Sequence, residues 1–478
     1  MSNPSQTVAT AETPPASWSE LFHEGRALYT ILVLLGVGLH ALQTLVIAIV
    51  MPTVVADIGG ADYYAWPAMI FTIGAIVGAA SLGPVWAVFG QRRGYAVSGL
   101  LFMAATSGCA MAPDISILII ARGFQGFAGG LITGGGMALV SGLFTQPQRK
   151  RIMALHQGTW MIAQLLGPAV GGIFAEIGWW RGSFWTMAPV IMGFAVLAWL
   201  KIPEGSGREA SSRASGRFPF LRLGLLTGGV FAIALAGPVF EGVLRIYMIV
   251  LAVVLIVFCL RLDRRAENRL YPSGALSIFS PVGLGLWILI LGGMAQTSMN
   301  IFMPLVLQVV HGVTPLLVSF IAITVSAGWT ISTFLVSGYS GRREDMALKI
   351  GVLLMLAGLG GIVICAQLPL LWVLTFAALV FGLGVGAHNV LLVTKIMASS
   401  RDGEERITGS SIPSMRSLGT ALGAAIGGMV SSIAGLGEAT EAASVGPAVN
   451  AVFAFNLIPL ILAALFMFML VRMGKRGR

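Results

Sequence analysis

The chain has 478 residues, 56% of them hydrophobic and only 10% charged, with a formal net charge of +10. A mean hydropathy of +0.89 excludes an ordinary soluble domain and indicates a multipass membrane protein. The basic excess is spread over short loops, which excludes a nucleic-acid surface and reads as a topology signal.

Residues 1–26 are polar and rich in Pro, Ser and Thr, and are predicted to be a disordered cytoplasmic N-terminus without the basic start and apolar core of a cleaved signal. A helix crossing ~30 Å of hydrocarbon needs about 20 mainly apolar residues. Fourteen runs answer to that: 27–51, 66–89, 95–111, 116–143, 152–175, 183–199, 223–239, 244–260, 281–310, 316–337, 347–367, 371–398, 412–433 and 448–471. Lipid offers backbone groups no partners, so the runs must be helices and the fold class is all-α integral membrane. With the N-terminus inside, every even-numbered crossing returns to a basic loop, as the positive-inside bias requires. Both termini are then cytoplasmic, and the expected location is the plasma membrane, the inner membrane in a bacterium.

The runs divide as six, two and six. An N-terminal six-helix bundle is expected over 27–200, a cytoplasmic linker over 201–222, two extra spans over 223–260 and a second linker over 261–280. A C-terminal six-helix bundle over 281–471 and a basic tail over 472–478 complete the chain. A faint repeat supports two related bundles: Gly83 to Arg93 follows the second run, and Gly338 to Arg343 follows the second run of the last six. Paired bundles around a midplane cavity are the usual construction of secondary transporters.

None of the 19 acidic residues falls inside a run, although intramembrane carboxylates are the common carriers of protons and cations. The polar side chains that do fall there include His40 and Gln43 in the first run, and Arg122 and Gln125 in the fourth. The fifth run carries Gln157, Trp160 and Gln164 on one helical face, followed by small residues around Pro168. Later runs add Gln296, Asn300, Gln308, His388, Asn389 and Arg416; Lys395 lies near a helix end and is expected to snorkel to the interface.

Several stretches resemble the major facilitator superfamily, and within it the fourteen-span drug:proton antiporter branch. Gly83-Pro84-Val85-Trp86-Ala87-Val88-Phe89-Gly90-Gln91-Arg92-Arg93 is similar to that family's cytoplasmic loop, in which glycines make a tight turn and arginines latch the bundles. Ala87 and Val88 stand where the family has Asp and Arg. Arg122-Gly123-Phe124-Gln125-Gly126 resembles the family's intramembrane arginine motif, and Gly167-Pro168-x-x-Gly171-Gly172 resembles the motif associated with antiporters. Further likenesses are Trp180-Arg181-x-x-Phe184, Pro304-Leu305-x-x-Gln308, Gly382-x-Gly384-x-Gly386 and Arg416-x-x-Gly419. In the first run the branch has an acid where this chain has Gln43, which cannot titrate or pair with an organic cation.

The resemblance implies a major facilitator fold, two six-helix bundles plus two extra central spans. From the polar and aromatic side chains within the runs, solute contact is expected at His40, Gln43, Arg122, Gln125, Trp160, Gln164, Asn300, Gln308, His388 and Asn389. Conformational roles are expected at Gly83, Gly90, Arg92, Arg93, Gly167, Pro168, Gly171, Gly172 and Arg416. Amides and aromatics without acids suit a small neutral or weakly anionic planar solute, and the favoured expectation is nutrient uptake of a riboflavin-like vitamin. The alternative is a multidrug:proton antiporter, with His40 or His388 carrying the proton.

There is no phosphate-binding Gly-Lys-Ser/Thr loop and no metal-ligand or acid–base cluster, so neither cofactor, metal nor enzymatic activity is expected. Cys109, Cys259 and Cys365 show no disulfide spacing. The expected partners are the small-molecule solute and the lipid bilayer, and a monomer suffices.

Overall fold

The computed structural model describes residues 26–202, 220–266, 269–438 and 442–476. The expected N-terminal segment and most of the first linker lie outside the described residues. The helices are α1 (Arg26–Ile58), α2 (Trp66–Ala80), α3 (Leu82–Ala110), α4 (Ile115–Leu143), α5 (Gln146–Glu176), α6 (Gly182–Trp185) and α7 (Ala188–Lys201). Next come α8 (Phe220–Leu235) and α9 (Gly242–Arg265). The last set is α10 (Pro281–Leu305), α11 (Pro315–Val336), α12 (Gly341–Cys365), α13 (Leu371–Ala398), α14 (Glu405–Ile433) and α15 (Ala442–Arg476).

Eleven helices among the described residues are long and apolar enough to cross a membrane, against the fourteen runs expected. The three remaining runs are helical but fall short of that measure. Phe220–Leu235 has 16 residues, Leu82–Ala110 contains a kink, and Glu405–Ile433 is diluted with Gly and Ser.

Local chemistry sets the breaks. The run 66–89 is interrupted at Ser81, whose hydroxyl bonds back to the carbonyl of Val77 at 2.8 Å. The run 183–199 divides into α6 and α7 because Pro189, lacking an N–H, fits only the first turn of a new helix. Asp114 caps α4 by accepting from the N–H groups of Ser116 and Ile117 at 2.8 and 3.0 Å.

Helices α1–α5 and α7 pack together, and α10–α15 form a second group. Within each, the second and fourth members meet through glycine. A Cβ on Gly126 of α4 would stand 2.1 Å from the Phe71 carbonyl of α2, and one on Gly386 of α13 would stand 2.1 Å from the Trp329 carbonyl of α11. Small residues let membrane helices approach this closely. The α8–α9 hairpin packs on α14 through α8, while only 11% of the apolar window of α9 is buried. The corresponding figure for α10 is 89%, making it a central element.

Candidate functional site

Within the first group of helices, α1 presents His40 and Gln43 one turn apart. His40 stacks on Phe71 with ring centroids 5.1 Å apart, and Trp160 of α5 meets it edge-on at 6.4 Å. Arg122 is fully buried. Its Nε donates to the Pro67 carbonyl at 3.2 Å, and its Nη1 donates to the Gln43 carbonyl at 3.2 Å and to Gln125 Oε1 at 2.5 Å. The guanidinium lies over Phe71, 4.1 Å from the ring centroid. Gln125 Nε2 donates onward to Thr106 Oγ1 at 2.8 Å. Carbonyls and a π face thus replace water around much of the cation, while Nη2 is buried without a hydrogen-bond partner.

Gln43 is also fully buried, and neither atom of its amide has a hydrogen-bond partner. The structure therefore brings Gln43, Arg122 and Gln125 together inside the helical group, away from open space. His40, Trp160 and Gln164 are half-buried, and Gln157 is exposed.

In the second group, α10 opens a single stripe. Gln296 and Thr297 are half-buried and Asn300, one turn on, is exposed, although Met299 and Ile301 beside it are buried. Asn389 Oδ1 accepts from Arg416 Nη2 at 2.6 Å. His388 is buried, with Nδ1 2.8 Å from the Gly384 carbonyl of its own helix. Gln308, expected at the solute, donates instead to the Ile49 carbonyl of α1 at 3.0 Å. It reaches there because a widened π-turn over Val306–Val310 follows Pro304. Among the described residues no hydrogen bond or ring contact joins the His40 set to the His388 set.

The two groups meet at the end of the helices away from the basic loops. On α5, Gly167 and Gly171 approach Leu45 and Ile49 of α1, whereas a Cβ on Gly172 would stand 2.1 Å from Ser319 Oγ of α11. Ser319 donates to the Pro168 carbonyl at 2.7 Å, and Glu176 accepts from the Leu316 N–H at 3.1 Å. Tyr64 packs on Phe302 with centroids 5.6 Å apart. One continuous core there runs from Val46 through Trp66 and Trp180 into α10 and α14. The second core cluster belongs to α1–α5 and α7 with their adjoining turns. Nearby, Asp57 pairs with Arg181 and accepts from Trp180 Nε1 at 3.0 Å. Sequence reasoning missed Ser319, Phe71 and Asp57. Asp57 had a visible signal, since it is the first acid beyond the opening apolar run.

At the basic-loop end, Gly90 has φ +75° and ψ 167°, a conformation open to glycine alone, and the chain reverses there. Gly83 is helical with open space around it, so only one of the two glycines makes the turn. Arg92 donates to the Trp199 carbonyl and lies 5.3 Å from that ring centroid, while Arg93 is exposed. Lys395 reaches towards the helix end and finds an ion pair there. Its Nζ meets Asp345 Oδ1 at 2.7 Å and Glu344 Oε1 at 3.7 Å, because the repeat of the loop supplies acids just past Arg343.

Comparison with known proteins agrees with this architecture. The chain is 29% identical over 450 residues to a "Probable multidrug-efflux transporter" of Mycobacterium tuberculosis (strain ATCC 25618 / H37Rv), covering 91% of this chain and 93% of that protein. It is 23% identical over 419 residues to Multidrug resistance protein 3 of Bacillus subtilis (strain 168), covering 83% and 78%. A D-xylose-proton symporter structure aligns with TM-score 0.63 at 15% identity, over 93% of this chain and 97% of the other. An inward-facing, unoccupied bacterial homologue of the human lysosomal transporter Spinster gives 0.63 at 14% identity, over 95% and 99%. Likeness at these identities shows the fold. The profile of the Major Facilitator Superfamily matches residues 33–412, and the chain belongs to that superfamily of secondary transporters, which are not enzymes.

Proposed function

We propose that the protein exports small, planar, neutral or weakly anionic organic compounds across the plasma membrane, as a multidrug transporter. The observation that carries this is the 29% identity to a probable multidrug-efflux transporter along 91% of the chain. Riboflavin-like uptake, favoured on side-chain chemistry alone, fits these relatives less well than efflux does.

The site chemistry narrows the class. Gln43 replaces an acid, and the nearest fixed charge is the Arg122 guanidinium. Such a site favours polarisable neutral or anionic solutes over organic cations. Asn300, Gln157, Gln164 and Trp160 supply amides and a flat ring on surfaces left at least partly open. His40 is the candidate proton carrier, with Nδ1 unpartnered beside Trp160. The Gly172–Ser319 contact supports a reading in which the end away from the basic loops is closed.

The test is drug susceptibility and dye efflux in a host lacking its own exporters. Raised resistance to neutral and anionic compounds, with little change for quaternary cations, is the expected result. Unchanged resistance together with protein-dependent riboflavin accumulation would overturn export in favour of uptake.

A further inference from the structure

Away from the midplane, the described residues 269–279 and the end of α9 border a recess of about 540 Å³. Arg264, Arg269, Ser273, Gly274, Ser277 and Phe279 line it. Both arginines are exposed, and neither has an ion pair or hydrogen bond among the described residues. Two neighbouring acids among the described residues are engaged. Asp263 pairs with Arg222 at 2.5 Å and accepts from the N–H groups of Leu270 and Tyr271 at 2.9 and 3.1 Å. Glu404 accepts from the hydroxyl of Ser273 at 2.8 Å. Among the described residues no carboxylate lines the recess, and Asp263 lines the smaller one adjoining it.

Its position is at the lipid boundary. Helix α9 is the least buried of the eleven apolar helices, and its 24 residues span about 36 Å, slightly more than the hydrocarbon thickness. The arginines at its end therefore stand at headgroup level. Phe279 is 81% exposed and Ile278 38% exposed at the rim, which gives the recess an apolar edge beside its cations. Two guanidiniums without a partner among the described residues, with the Ser277 hydroxyl, fit a phosphate diester, and the apolar edge fits acyl chains; the Ser273 hydroxyl is already taken by Glu404 and Arg401.

We propose that this recess binds the phosphate headgroup of an anionic phospholipid, with the acyl chains lying along α9 past Phe279. The site has a mechanical neighbour. The backbone held by Asp263 carries Tyr271, whose hydroxyl is 3.5 Å from Ser414 Oγ on α14. A bound lipid braces the α8–α9 hairpin against the helix that packs on α2.

Native mass spectrometry of the full chain in mild detergent, titrated with phosphatidylglycerol or phosphatidylcholine, tests the site. Phosphatidylglycerol is expected to be retained in preference. Arg264→Ala/Arg269→Ala should weaken it roughly 25-fold, about fivefold for each cation removed. Arg342→Ala/Arg343→Ala, at a different basic loop, should leave retention unchanged. Equal binding of the two lipids, or equal loss in both double variants, would overturn the proposal. Displacement of the lipid by inorganic phosphate would identify a soluble-anion site and overturn it too. Should the Arg264/Arg269 variant not fold, a photoreactive phosphatidylglycerol on the unaltered protein decides: crosslinks within 264–279 support the site, and crosslinks confined elsewhere sink it.

Discussion

Ser319 of α11 donates its hydroxyl to the carbonyl of Pro168 on α5 at 2.7 Å, through space kept clear by the missing side chain of Gly172. The bond joins the two helical groups, so closure at this end depends on a glycine and a serine far apart in sequence.

Gly172→Leu is expected to block that closure. Overpacking costs about 1–3 kcal/mol, which shifts the closed state by roughly tenfold or more. Ser319→Ala alone should cost only about 1 kcal/mol. Gly172→Ala should impair transport, and adding Ser319→Ala should restore part of it, because the atom at 2.1 Å is gone and the next contacts lie near 3.0 Å. Transport rates at matched expression measure this; no rescue in the double variant would mean the contact is not limiting.

The two loop glycines should separate cleanly. Gly90→Ala forces a side chain into a glycine-only backbone region and should destabilise the protein by about 1–3 kcal/mol. Gly83→Ala sits in a helix with open space and should stabilise by up to ~1 kcal/mol. Thermal unfolding in detergent distinguishes them, and equal effects would contradict the turn geometry.

Lys395 and Asp345 are each 14% exposed, so their pair is largely withdrawn from water. Lys395→Met leaves Asp345 and Glu344 without their cation and should cost about 1–3 kcal/mol. Asp345→Asn placed in that background should recover part of the loss. If the single variant unfolds at the unaltered temperature, the pair contributes nothing.

On the proposed export function, His40→Gln should abolish acceleration of efflux by an imposed proton gradient while leaving solute exchange intact. His388→Gln should be silent in the same assay, since that ring is bound to its own helix carbonyl. Gradient-driven efflux persisting without His40 would remove it as the carrier.

Gln43→Asp puts a carboxylate beside the Arg122 guanidinium, and on the proposed export function should extend the exported spectrum to organic cations. Fluorescent cation efflux at several pH values reads this out. An unchanged spectrum would show that Gln43 does not face solute during the cycle.

Apolar length and loop charge foretold most helices because lipid permits almost nothing else. Their interruptions were harder. Ser81 breaks an unbroken apolar run through a local side-chain bond that hydropathy does not register. Arg122 was legible as a buried cation, but its partners are mainly carbonyls, at Pro67 and Gln43, and carbonyls carry no residue signature. Gln308 shows the opposite failure. Its amide suggested solute, yet a π-turn no propensity predicts swung it onto Ile49. Pairs such as Asp57 with Arg181 join positions more than a hundred residues apart, beyond any local pattern.

The contacts between the two helical groups have an energetic consequence. The ion pairs of Asp57 with Arg181 and of Lys395 with Asp345 each lie within one group. Three hydrogen bonds, from Gln308, Ser319 and the Leu316 N–H, are described across the joint, each worth about 1 kcal/mol net. Parting these three bonds is within reach of thermal fluctuation, and none of the three is an ion pair. Any external driving force would then set the direction of the cycle, with ambient heat supplying the motion itself.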